Sequence, residues 1–477
     1  MTADLVGIDE RVETIRGFAG VLASNATCVR PRSVEDVERI LEHAGSRGVI
    51  AHGLGRSYGD AALNGDGHVI KSDVGGVLQM DLDAGTVHAE AGVSVGLLLR
   101  LLAPLGWTLP IVPATRHVTV GGAIAADVHG KNHRHAGSFA QWLVRFTLCT
   151  PSGTFAVDPT ADRELFDATT GGMGLTGVVV DATLRLVRAE TTWLTAHTCR
   201  SSSLDELLVD LDDRASMSSY AIGWIDALSR GRRLGRGVVV GADRTPLEAL
   251  PRRAARRSSS RPARERMRVP EHVPRGLLND VTIRGANAVY LSRASARSGS
   301  PKVVPSHSVL MPLDRLPGWN RLYGRQGFVQ YQFVVPDRNV EVLRIALERL
   351  QAAGCPSYFA TLKRLGDGNR APLSFPMAGW SLSLDISADR QELPSVLDEF
   401  DGLVAGAGGR VYLAKDSRLR PEHVEVMYPD IGTFRSVCAR VDPCGVMQSD
   451  LSRRLNLRVA EVRPTRTVAL GHRPAGS

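Results

Sequence analysis

A chain of 477 residues exceeds what one hydrophobic core usually serves, so two or three domains are expected. A hydrophobic fraction of 43% with 48 glycines fits a globular α+β enzyme and argues against a disordered or fibrous chain. The net charge of +8 is local: residues 251–268 hold eight Arg and one Glu, and the rest of the chain is nearly neutral, which speaks against nucleic acid as a partner. Such a basic, Ser/Pro-containing run predicts a mobile loop over about 251–272; attraction to a phosphate-bearing substrate or an anionic membrane surface is its sharper reading.

Six scattered cysteines (Cys28, Cys149, Cys199, Cys355, Cys438, Cys444) contain no C-x-x-C pair, against both a disulfide framework and a structural zinc site. The first 20 residues have no basic start and no apolar run. The most apolar segment, Val93–Leu105, is interrupted by Arg100 and is far shorter than the roughly 20 residues that span a bilayer. A cytoplasmic protein is expected, at most peripheral at the inner membrane face.

Spacing predicts a helix over Val34–Ala44, with Ser33 as its N-cap and Gly45 after its end. A short strand, Val49–Ala51, then runs into His52-Gly53-Leu54-Gly55-Arg56-Ser57-Tyr58-Gly59-Asp60, where a glycine-rich turn after a strand suits a phosphate. Strands are predicted at Val69–Lys71, Val77–Leu82 and Thr86–Glu90, and a helix over Val93–Leu102. In Ile111–Phe139 the pair Gly121-Gly122 offers close backbone approach and free N–H groups. Ala123, Ile124, Ala125 and Ala126 form a flat wall, and His129-Gly130-Lys131-Asn132 a polar cluster. Together they suggest a large, flat, phosphorylated cofactor; a glycine turn before a core strand is the plainer reading.

Gly172-Met173-Gly174-Leu175-Thr176-Gly177 has the form G-x-G-x-x-G, but helical Asp162–Thr169 precedes it and strand-like Val178–Val187 follows. That order is the reverse of a dinucleotide-binding βα unit, so a Rossmann site is rejected. Beyond Thr191 strands are predicted at Thr192–His197, Ser219–Ile225, Ser306–Pro312, Phe328–Val335 and Trp380–Ile386, with helices over Val340–Ala352 and Leu393–Val404. Arg410–Lys415 reads as a strand and Phe434–Val441 as a helix, while 456–477 has no core pattern and is expected to be disordered. His129, His133 and His135 resemble a metal cluster only superficially, with Lys131 and Arg134 interleaved and no cysteine near, so no metal is expected.

Three motifs, residues 52–60 (HGLGRSYGD), 118–133 (VTVGGAIAADVHGKNH) and 412–418 (YLAKDSR), with QYQF at 330–333 and APLSFP at 371–376, resemble the decaprenylphosphoryl-β-D-ribose 2′-oxidase family. These are FAD enzymes of actinobacterial cell-wall arabinan synthesis, within the vanillyl-alcohol-oxidase (p-cresol methylhydroxylase-type) flavoproteins. The resemblance covers about residues 15–455. It implies a two-domain α+β fold: a split FAD-binding domain (1–190 and 409–455) and an antiparallel-sheet substrate domain (191–408).

By the resemblance, FAD meets Gly53, Leu54, Gly55, Arg56, Ser57, Tyr58 and Asn64; then Ala114, Thr115, Thr119, Gly121, Gly122, Ala125, Ala126, Val128, His129 and Gly130; then Gly174, Gly177 and Val179; and finally Tyr412, Ala414 and Lys415. Arg56 stands where some relatives carry a flavin-linked His, and a guanidinium cannot make that bond, so the FAD is expected to be non-covalent. Trp224, Leu310, Gln330, Gln332, Lys363, Ser381 and Ser383 would line the substrate. Ser383 stands where mycobacterial members have an inhibitor-modified Cys; Ser381 replaces an Asn, Leu310 a Tyr, Met173 an Asn and Ala126 a Cys.

The implied reaction is oxidation of a secondary hydroxyl, the 2′-OH of a polyprenylphosphoryl-β-D-ribose, with a reductase partner completing an epimerisation. The alternatives are the same chemistry on a soluble sugar, nucleoside or aminocyclitol, and a non-catalytic anion-binding protein. Lys415 is expected to support the reacting hydroxyl or the flavin. His129 either orients the flavin or takes the proton, unless it is a structural histidine. Gln330 and Gln332, two apart on a strand, share a face and with Lys363 would hold sugar hydroxyls or phosphate; a solvated face is their plainer reading.

Overall fold

The computed structural model describes residues 7–72, 75–255, 268–270, 273, 276–295 and 298–458. Three sheets carry the fold. The first is mixed, in the order Asp9–Arg16, Ala23–Arg30, His68–Lys71, Val49–His52, the last two pairings parallel. The second is antiparallel: Val77–Asp81, Thr86–Glu90, Val178–Arg185, Leu143–Thr150, Gly153–Val157. The third is an eight-stranded antiparallel sheet ordered Lys302–Pro305, Trp193–Ser201, Gly237–Arg244, Tyr220–Ile225, Ser357–Leu365, Gly379–Ser387, Phe328–Val335, Arg410–Val411. A small ribbon, Trp107–Thr108 with Val187–Arg188, completes the pairing.

Local chemistry sets the helices of the first half. In Val34–Glu42 the Ser33 side chain accepts from the N–H of Asp36, acids occupy the first turn, and Val37, Ile40 and Leu41 are buried. Ser94 caps Val95–Leu102 and Asp162 caps Arg163–Thr169 in the same way. The chain's end returns to this half: Val49 N–H donates to the carbonyl of Val446, and Gln448 N–H to that of Val49.

Alternation divides the eight-stranded sheet into two faces. One packs Tyr331, Phe333, Leu382 and Leu384 into the main core with helices Leu204–Met217, Glu341–Ala352 and Leu393–Gly406. The register Gln330↔Asp385, Gln332↔Ser383, Thr361↔Ser383 and Lys363↔Ser381 puts Gln330, Gln332, Thr361, Lys363, Ser381, Ser383 and Asp385 on the other.

Four expectations are corrected. Ser306–Pro312 is not a strand: Ser306–Leu310 is a helical turn and Pro312–Arg315 a 3₁₀ turn, burying Leu310 beside Val112, Leu194 and Tyr220. The strand at Arg410–Lys415 stops at Val411 and pairs with Phe328–Val335, so residue 410 still belongs to the eight-stranded sheet and Lys415 lies in the turn that follows. Gly121-Gly122 opens a short helix, Val120–Ala125, rather than a loop. The tail was drawn too early, because Leu457 is fully buried and Arg458 pairs with buried Asp442; residues 459–477 lie outside the described residues. So does the centre of the Arg-rich run, 256–267; before it Arg252–Ala255 forms a helical turn, and Ala254 and Val269 are buried.

Candidate active site

Between the cavity face of the large sheet and the first half lies a cavity that opens to solvent. All the predicted cofactor contacts line it except Asn64. That side chain is fully buried and donates to the carbonyls of Gly48 and His68, holding the strand ends behind the cavity. Among the predicted substrate residues Gln330, Gln332, Lys363 and Ser383 line it; Trp224, Leu310 and Ser381 do not. Trp224 shares the sheet face but sits against Tyr290, ring centres 4.7 Å apart, beneath helix Asp280–Ser295. Ser381 is buried behind the wall, where it accepts from Gln332.

The residues present fit a bound FAD. Among the described residues, no protein group accepts from the backbone N–H of Gly53, Leu54, Gly55, Arg56 or Ser57. Five consecutive open donors suit a pyrophosphate. A Cβ on Gly53 would stand 2.4 Å from Thr119 Oγ1, and Gly55 has φ +63°, so both positions demand glycine. Gly121 and Gly122 serve differently from expectation: their N–H groups donate to the carbonyl of Ala91 and to Thr119 Oγ1, and what they offer the cavity is the lack of a side chain.

No Asp or Glu lines the cavity, whereas Arg56, Lys131, Lys363 and Lys415 do. Only five lysines occur in the chain (Lys71, Lys131, Lys302, Lys363, Lys415), so three of them gather here. Burial lowers Lys363 to about 8, and burial with the charge of Lys363 lowers Lys131 to about 7. Lys131 Nζ donates to the carbonyl of Leu310 at 2.6 Å. Lys415 Nζ lies over the Tyr58 ring. Its pKa is lowered by burial and opposed by Asp385.

His129 is held well below its usual pKa by burial and by Lys363, His133 and Lys415, so its imidazole is neutral. Phe375 and Tyr412 stand 5.5 Å from its ring. Its Nε2 lies 3.4 Å from Gln332 Nε2, and its Nδ1 is buried without a protein partner. With Gln332 donating to Nε2, Nδ1 carries the hydrogen and offers a donor. The other two histidines turn elsewhere: His133 Nδ1 accepts from Gly366 N–H, and His135 Nε2 meets the carbonyl of Ala215. No group of three metal-binding side chains forms among the described residues.

Sequence reasoning overlooked two residues. Asp385 is fully buried behind Gln330, which donates to its Oδ1, while its Oδ2 has no partner. Alternation through Trp380–Ile386 puts residues 381, 383 and 385 on one face, and a carboxylate in that phase was the available signal. Lys131 figures in the sequence only within the polar cluster at 129–132 and as an argument against a metal, with no role of its own.

The family model described as an FAD binding domain matches residues 26–157. Decaprenylphosphoryl-β-D-ribose oxidase of Mycolicibacterium smegmatis is 38% identical over 429 residues, covering 89% of this chain and 92% of that protein. An uncharacterized protein of Streptomyces coelicolor is 42% identical over 76% of this chain and all of its own length. L-gulonolactone oxidase of Scyliorhinus torazame is 33% identical over 40% of this chain and 43% of its own. With likeness along nearly the whole length of the mycobacterial oxidase and a cavity suited to the dinucleotide, the chain belongs to the decaprenylphosphoryl-β-D-ribose oxidase family of FAD-dependent oxidoreductases.

Proposed function

We propose that the protein oxidises the 2′-hydroxyl of a polyprenylphosphoryl-β-D-ribose, giving a keto sugar that a separate reductase returns as the arabino epimer. The observation that carries this reading is the cavity's one-sided lining: four basic side chains and no carboxylate face it. The open amides of residues 53–57 serve the cofactor's pyrophosphate, which leaves Lys131 and Lys363 for the sugar phosphate. When bound, FAD supplies the acceptor for the hydride that leaves C2′.

The residues supply the rest. Gln330 and Gln332 orient the ribose hydroxyls. Lys415 takes the hydroxyl proton, a role worth about 10²–10⁴-fold in rate. His129 is a donor to the cofactor rather than the proton acceptor, since burial and the nearby amines of Lys363 and Lys415 oppose its protonation. Arg56 has no route to a carbon–nitrogen bond with the flavin, so the cofactor is held non-covalently. No helix among the described residues is long and apolar enough to cross a membrane, and we place the enzyme at the inner membrane face, where a lipid-linked substrate is met.

The test is anaerobic reduction of the bound flavin by farnesylphosphoryl-β-D-ribose, nucleosides and aminocyclitols in parallel. Bleaching by the first alone supports the assignment. Bleaching only by a soluble compound would move the substrate to that class, a reading that the hydroxyl of Ser383 in the cavity wall favours.

A further inference from the structure

The three cavity amines are not equivalent. Lys363 has burial alone acting on it. Lys131 is anchored to a carbonyl. Lys415 lies on the face of Tyr58 and is the one whose charge is supported by Asp385. The Tyr58 hydroxyl faces the Gln330 side chain, and Gln330 donates to Asp385 Oδ1. Asp385, Gln330, Tyr58 and Lys415 therefore form one chain of contacts running from the sheet to the turn at 413–415.

A carboxylate with no exposure and one oxygen lacking any hydrogen bond is costly to keep, and burial raises Asp385 to about 7, with Gln330 and the charge of Lys415 opposing the rise. Gln330 satisfies one oxygen; the other has no structural purpose that the fold explains. Tyr323 and Tyr58 also face this carboxylate, and both phenols are held protonated by burial and by its charge. On the far side Lys363 opposes the charge on Lys415, while Arg56 and Asp314 act on Tyr58. Lys415 is the one cation of the group whose charge Asp385 stabilises.

We propose that Asp385 is a positioning residue for Lys415: its carboxylate fixes the amine at the end of the Tyr58–Gln330 chain and stabilises the ammonium formed when the substrate hydroxyl gives up its proton. In that step the O–H bond breaks, a new N–H bond forms on Lys415, and the C–H electron pair leaves with the hydride to the FAD. The ammonium afterwards returns its proton to solvent through the cavity mouth. This inference rests on the function proposed above for the catalytic step, but the pairing of the two residues is measurable without a substrate.

Five lysines make that measurement clean. The FAD-loaded enzyme is labelled with trace acetic anhydride from pH 5.5 to 10.5, and each lysine's reactivity is read by peptide mass spectrometry, with Lys302 as the exposed reference. In Asp385→Asn, which still accepts from Gln330, the Lys415 midpoint is expected to fall by about one pH unit or more, with Lys131 and Lys363 unmoved. Asp385→Glu is expected to restore it. The pH at which farnesylphosphoryl-β-D-ribose reduces the flavin should fall by the same interval, with about a tenfold lower plateau. An unchanged Lys415 midpoint, or an equal shift of all three amines, would overturn the proposal. If Asp385→Asn does not fold, Asp385→Ser takes its place: a fall of the Lys415 midpoint alone supports the pairing, and an unmoved Lys415 midpoint overturns it. A shifted midpoint with no bleaching of the wild-type enzyme by the probe would refute the substrate assignment and leave the pairing standing.

Discussion

Lys415 Nζ stands 3.4 Å from the centre of the Tyr58 ring, and the Tyr58 N–H donates to the carbonyl of Ala414 at 3.0 Å. Tyr58 thus meets a turn more than 350 positions away in sequence through its side chain, at Lys415, and through its backbone, at Ala414. A cation on an aromatic face away from water is worth about 2 kcal/mol. Lys415→Ala is expected to lose substrate-driven flavin bleaching by at least about 10²-fold while FAD stays bound. Stopped-flow absorbance under nitrogen measures the rate, and normal bleaching would remove Lys415 from the reaction.

Arg56 donates through Nε to the carbonyl of His117 at 3.1 Å and stacks on Phe18 at 4.9 Å. Neither contact offers the flavin a nucleophilic nitrogen. Treatment with SDS or acid should release all flavin to the filtrate. Colour that migrates with the polypeptide on a gel would show a covalent link.

Lys363 costs the fold stability. Holding its pKa at about 8, against 10.5 in the unfolded chain, costs about 3 kcal/mol below pH 8, where both states are protonated. Between pH 8 and 10.5 the unfolded chain binds more protons, so stability climbs with pH; above 10.5 the amine is neutral in both states and the cost is gone. Lys363→Met should therefore raise the melting temperature of the apoprotein at pH 7 and leave it unchanged near pH 11, with substrate-driven reduction impaired. Calorimetry across that range decides.

Asp127 is a fully buried, positive-φ residue between two cavity-lining residues, Ala126 and Val128. Its carboxylate accepts from the Ser138 and Ser374 hydroxyls, the Asn369 amide and the Ala140 N–H. Four stranded donors follow its removal, so Asp127→Ala is expected to cost about 3–5 kcal/mol and to lower FAD content as well. Thermal melting and the ratio of flavin to protein absorbance report both effects.

Arg458 and Asp442 form a buried pair, and Arg458 also donates to the carbonyls of Met447 and Asp442. Arg458→Ala leaves a buried carboxylate uncompensated, with an expected loss of about 3–5 kcal/mol. A melting temperature within 1–2 °C of wild type would deny that pair its structural role.

Local signals were legible and long-range ones were not. Ser33 marked a helix start because a cap is written within three residues; Ser94 and Asp162 cap their helices by the same local chemistry. The alternation of Phe328–Val335 read correctly because one face meets helices and the other the cavity. Ser306–Pro312 misled because its apolar spacing over so few residues suits a strand or a buried turn equally. Arg410–Lys415 misled because Leu413 and Ala414 are buried beyond the last ladder bond, which prolongs the apolar run past the strand. For the site, glycines 53 and 55 announced themselves. The roles of Trp224, Leu310 and Ser381 did not, since a sheet face says nothing of which neighbour covers it. Asp385 escaped because its partner Gln330 lies 55 residues away.

The turn that delivers Lys415 comes after nearly nine-tenths of the chain has been made, and a Cβ on Gly59 would strike the carbonyl of Asp416 at 1.8 Å. A nascent polypeptide on the ribosome thus exposes the glycine-rich amides long before the amine that completes the cavity exists. Any cofactor captured early would sit in a half-built chamber open to water. With Lys415 in the role proposed above, fragments ending before it should be unable to turn over even if they retain the first sheet.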